Sequence, residues 1–189
     1  MLADASTLGW VFPALAIATW IAVPIYAARA RGRLYAGFSL VILTLSLPPA
    51  LVLHARLRAW VPVDLVFALD VAFALSMAAA GVHLAHLVNA RMRSSAFRWA
   101  VSAPGQTFLG AGMLAGPWLL ILLPFRLLFS ALDWEGVLSA WTALEAMPLV
   151  VSVASVLTSV TTRPETVRFH VSARGPDELP LQVAAPDGR

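Results

Sequence analysis

Residues 60–88 read WVPVDLVFALDVAFALSMAAAGVHLAHLV, and only Asp64, Asp70, His83 and His86 in that stretch can carry a charge. A bilayer core is crossed by about 20 apolar residues at about 1.5 Å each. The run is long enough, and it lacks the strict alternation of a half-buried strand. It predicts a transmembrane helix. The four ionisable positions are the first places to look for function, because charge inside a membrane is costly.

The rest of the chain agrees. Its 189 residues are 60% hydrophobic and 12% charged, against roughly 25% charged in soluble domains. Mean hydropathy is +0.81. There is no cysteine, which removes disulfides, thiol nucleophiles and thiolate metal sites. All 13 basic residues are arginine, a usage that fits a GC-rich bacterial genome. These arginines sit at the ends of apolar runs and in the C-terminal tail, so they point to topology and not to nucleic acid.

Four further apolar runs give an all-α integral membrane bundle of about five spans: 8–28, 34–53, 60–88, 106–125 and 136–160. Together they form a membrane unit over 1–162, followed by a polar tail over 163–189 of β character. Pro48-Pro49 interrupts the second run, so four spans is the alternative if that run folds back. Eight arginines (29, 31, 33, 91, 93, 98, 163, 168) fall on one side, against Arg56, Arg58 and Arg126 on the other. Arginine bias marks the cytoplasmic face. The expectation is a multi-pass protein of the bacterial inner membrane, N-terminus outside and C-terminus cytoplasmic. MLADASTLGW has no positive leader region. Trp10, Trp60, Trp99, Trp134 and Trp141 fall near span ends, as an aromatic belt would.

Within the spans, Asp70 lies about 15 Å past Trp60, and Glu145 sits at a similar depth in the fifth span. A shared proton, a bound cation or a bridge to Arg126 is one reading of these acids. A hydrogen bond from each to a neighbouring helix is the plainer one. His83 and His86 form H-x-x-H on one helix face, a weak metal pattern with no accompanying acid. The plainer reading is an interfacial pair beside Asn89 and Arg91. His54 lies at the opposite membrane face and cannot join them. Gly112-x-x-x-Gly116 in GAGMLAGPW permits close helix approach, either inside the bundle or between two copies as a homo-oligomer.

The tail TTRPETVRFHVSARGPDELPLQVAAPDGR begins with an exit at Arg163-Pro164 and an alternating run from Val167 to Val171. A proline-bearing loop, Pro176 to Pro180, and a turn at Pro186-Asp187-Gly188-Arg189 follow. With the helices before it, this resembles the membrane-embedded N-terminal region of bacterial calcineurin-like metallophosphoesterases. The resemblance implies a downstream soluble domain. In that family the next strand carries an Asp-x-His metal motif. Asp-x-His, Gly-Asp and Gly-Asn-His are absent here, so no catalytic residue, metal ligand or cofactor is carried over.

Three function classes follow. The first is a membrane anchor or regulatory module that is not catalytic by itself, with the lipid bilayer and a downstream domain as partners. The second is a small transporter or ion-coupled protein using Asp70 and Glu145. The third is a structural or assembly membrane protein. An intramembrane enzyme lacks support, since no Ser/His or Asp/His constellation stands at helical spacing and no G-x-S-x-G elbow occurs.

Overall fold

The computed structural model describes residues 8–88 and 94–161. These are all helical apart from short connections, and five helices are long and apolar enough to cross a membrane. We label them α1 (Val11–Arg31), α2 (Arg33–Trp60), α3 (Val63–Val88) and α4 (Ser95–Ala131). The fifth span divides into α5 (Glu135–Glu145) and α6 (Met147–Thr161). The expected β tail, with His170, lies outside the described residues, as do Asn89 and Arg91.

Hydrophobic residues surround each helix, which is the pattern of a membrane span. Phe67, Leu75, Leu120, Ile121 and Val150 are at least 60% exposed, in the positions where lipid contacts them. Several buried hydroxyls return their bonds to their own helix, as Ser46 does to the Ile42 carbonyl and Thr142 to Leu138. That habit satisfies a polar group where water is absent.

α1 and α2 are separated by Gly32 alone. Its φ of 92° lies in the region only glycine enters cheaply. α2 and α3 are joined through Val61 and Pro62. Val61 is extended (φ −72°, ψ 150°), as a residue before proline should be. The expected third span therefore starts at Val63, not Trp60. Asp70 lies seven residues into it, about 10 Å from its start.

The second span departs most from expectation. It does not stop or fold back near Leu53. It runs on through Pro48-Pro49 to Trp60, carrying His54, Arg56 and Arg58 on a regular helix. Membrane helices tolerate proline when neighbours cover the freed backbone, and here α4 does. A Cβ on Gly112 would collide with the Ser46 carbonyl, and one on Gly116 would stand 3.4 Å from the Pro49 ring. The two glycines thus serve packing within the chain. Gly112 is filled by α2, which is the in-bundle one of the two readings of this spacing. Gly105 makes the matching approach to α3, where a Cβ would lie 2.8 Å from the Ala79 carbonyl.

The fourth span is also longer than expected. It begins through a π-turn at Arg98–Ser102, where the Ala103 amide reaches back five residues to Arg98. Pro104, which has no N–H, follows at once. The fifth span breaks at Ala146 for a related reason. Pro148 cannot donate to the Leu144 carbonyl four residues back. The Trp118 indole supplies that bond instead, at 2.9 Å. Trp118→Phe removes this bond and should lower unfolding free energy in detergent by about 0.5–1.5 kcal/mol. Adding Pro148→Ala restores a backbone donor and should recover most of the loss. Equal losses in both backgrounds would exclude this account of the break.

Candidate functional site

The start of α1, the end of α2, the start of α3, the end of α4 and the inner face of α5 up to Glu145 meet at one end of the bundle. Into this end the sequence places nearly all its buried charge. α2 contributes His54, Arg56 and Arg58. Positions 54 and 58 share a face, and position 56 lies about 160° round the helix. The end of α2 therefore presents cations to two different neighbours.

On the first side is Asp70 of α3, 1% exposed. His54 Nε2 lies 2.8 Å from its Oδ1, and Arg58 Nε donates to Oδ2 at 3.2 Å. The His54 ring also belongs to an aromatic cluster. It stands 4.8 Å from the Phe12 ring and 4.9 Å from Phe73, and Phe108 packs beyond them. One ring from each of α1 to α4 thus meets around the pair. A pocket of about 480 Å³ opens beside it, lined by Trp10, Pro13, His54 and Arg58 among others.

On the second side is Glu145, the last residue of α5 before the break, with 0% exposure. Arg56 donates to Oε1 at 2.6 Å and Arg126 of α4 to Oε2 at 2.8 Å. Arg126 also reaches the Thr142 hydroxyl at 3.4 Å. A groove of about 370 Å³ lies beside this pair, lined by Arg56, Trp60, Arg126, Leu138, Ser139 and Thr142 among others. Trp60 donates its indole N–H to Ser139 at 2.9 Å.

Asp70 and Glu145 are therefore not a shared site. The end of α2 stands between them, and each is held by two cationic or imidazole groups. The bridge from Glu145 to Arg126 is present, as one reading of the sequence has it. The other partners were missed. Spans ending at residue 53 and starting at 60 leave Arg56 and Arg58 between helices and put His54 at a membrane face, far from the other histidines. A signal existed: His54 and Asp70 stand eight residues either side of Pro62, the register of a tight helical hairpin.

The remaining candidates separate. His83 is buried against α4, 3.4 Å from the Gln106 amide, whereas His86 is exposed and packs edge-on against Phe97. Among the described residues no group of three metal-ligating side chains forms, and the two histidines point to different neighbours. Asp64 is exposed in the first turn of α3, where a carboxylate suits the helix dipole. Trp10, Trp60, Trp99 and Trp134 are 43–74% exposed. Trp141 turns inward against Phe125 and Phe129 and is no part of a belt.

Asp70→Asn keeps the shape but removes the charge that Arg58 and His54 face. We expect a loss of about 1.5–3 kcal/mol, the range for a hydrogen bond to a charged group, read from the unfolding midpoint in detergent. A change within error would mean the contacts contribute nothing. Compared with protein-family models, curated proteins and solved structures, the chain matches none.

Proposed function

We propose that this chain is a membrane-embedded anchor or regulatory module, with no chemistry of its own. The observation that carries this reading is the pairing of both buried carboxylates inside the chain. A carrier needs intramembrane charges that can exchange partners during its cycle. Asp70 and Glu145 instead tie α2 to α3, α4 and α5, which suits a bundle that holds its shape. The polar residues 163–189, with their resemblance to the segment leading into a metallophosphoesterase domain, supply what is anchored. An antibody against 163–189 should detect, in the native membrane, a band well above 20.2 kDa. A band at that mass would overturn the anchored-domain reading.

The same pairs support an orientation. Arg56, Arg58 and Arg126 are engaged by two buried carboxylates of the chain itself, and they are the only three arginines against the bias among the described residues. Arg29, Arg31, Arg33 and Arg98 stand at the opposite end, which we place in the cytoplasm. The chain has no cysteine, so single introduced cysteines label without background. On intact cells an impermeant maleimide should modify Gly136→Cys and spare Ala96→Cys. The reverse pattern would invert the orientation.

A further inference from the structure

We propose that the groove between α2, α4 and α5 binds a phosphate oxyanion, carried by a lipid headgroup or free in solution. This goes beyond anchoring and does not depend on it. Arg56 and Arg126 bring two positive charges to one carboxylate, so the cluster keeps one net positive charge beside an open groove. Both guanidinium side chains remain partly exposed there, at 20% and 26%.

Hydrogen-bond capacity points the same way. A guanidinium has five N–H donors and no acceptor. The bonds to Glu145 and Thr142 engage only Nη1 of each arginine. Glu145, fully buried, fixes where those two Nη1 atoms lie. Ser139 is exposed, and its oxygen already accepts from Trp60, leaving its O–H to donate. Thr142 spends its own proton on the Leu138 carbonyl. The groove thus offers N–H and O–H donors around a net positive charge. Planar, multidentate recognition of phosphate is the chemistry arginine suits best.

The depth of the groove suits a phosphate from either source. Arg126 is five residues from the end of α4, and Arg56 is four from Trp60, which is 43% exposed at the end of α2. Aromatic side chains of this kind sit at headgroup level. A lipid phosphate lies at that level, and a dissolved phosphate reaches it from water.

The test uses the full chain purified in a detergent without phosphate. Binding of short-chain phosphatidylglycerol and of inorganic phosphate is measured separately by calorimetry. Ser139→Asp places a negative charge in the groove at an exposed position and leaves Glu145 and both arginines in the chain. Arg56→Gln removes one donor set. Saturable binding that weakens about tenfold or more in both variants supports the site. Weakening of the lipid alone assigns a headgroup, and weakening of both ligands assigns a site open to free phosphate. Absence of binding, or binding that Ser139→Asp leaves unchanged, overturns the proposal.

Discussion

Glu145→Ala should be the most damaging single change at the charged end of the bundle. The substitution removes a carboxylate that is wholly buried and receives bonds from two guanidiniums. Removing one partner of a buried ion pair typically costs about 3–5 kcal/mol, because the remaining charge stays desolvated. Two features pull in opposite directions here. Two cations lose their partner instead of one, and they then repel each other. Both are partly exposed, however, and long arginine side chains can turn their heads toward water. We therefore expect a value near the lower end, about 3 kcal/mol, as a fall in the unfolding midpoint in detergent. Arg126→Gln should cost less, because Arg56 still holds the carboxylate.

Gly112→Val should be comparably severe for a different reason. A Cβ at this position meets the Ser46 carbonyl and lies 3.0 Å from the Ser46 Cα. These are backbone atoms in mid-helix, so no side chain can swing aside. α2 and α4 would have to separate along the contact that carries Pro48-Pro49. Overpacking usually costs about 1–3 kcal/mol, and more where nothing can yield. We expect the upper end or beyond, seen as loss of folded protein on size-exclusion chromatography. Gly116→Ala is the control. Its Cβ would lie 3.4 Å from the Pro49 ring, close to an ordinary contact, so the variant should fold. Equal tolerance at both positions would contradict the packing described for α2 and α4.

Hydropathy sufficed to locate the five spans, because a bilayer leaves so few ways to satisfy a backbone. The ends were harder to read. Charge and proline mark the end of a helix in water, and that habit cut α2 short at Leu53. Burial against α4 and the carboxylates of α3 and α5 let the helix continue past both. Asp70 and Glu145 stand out in the sequence as buried acids, but spans ending at 53 and starting at 60 leave their partners His54, Arg56 and Arg58 outside the helices. The glycine spacing announced close approach yet gave no hint of the partner helix. The break at Ala146 needed both Pro148 and the distant Trp118, and no local pattern links the two.

Glu145 and its two arginines form a structural link between α2, α4 and α5. A double-mutant cycle on Arg126 and Glu145 tests it most directly, with unfolding free energies measured for Arg126→Gln, Glu145→Gln and the double variant. A buried, mutually dependent pair should show a coupling of at least about 1 kcal/mol, with the double variant more stable than the sum of the single losses allows. Strict additivity would mean that the carboxylate and the guanidinium do not depend on each other, and the ion-pair account of this bundle would fail.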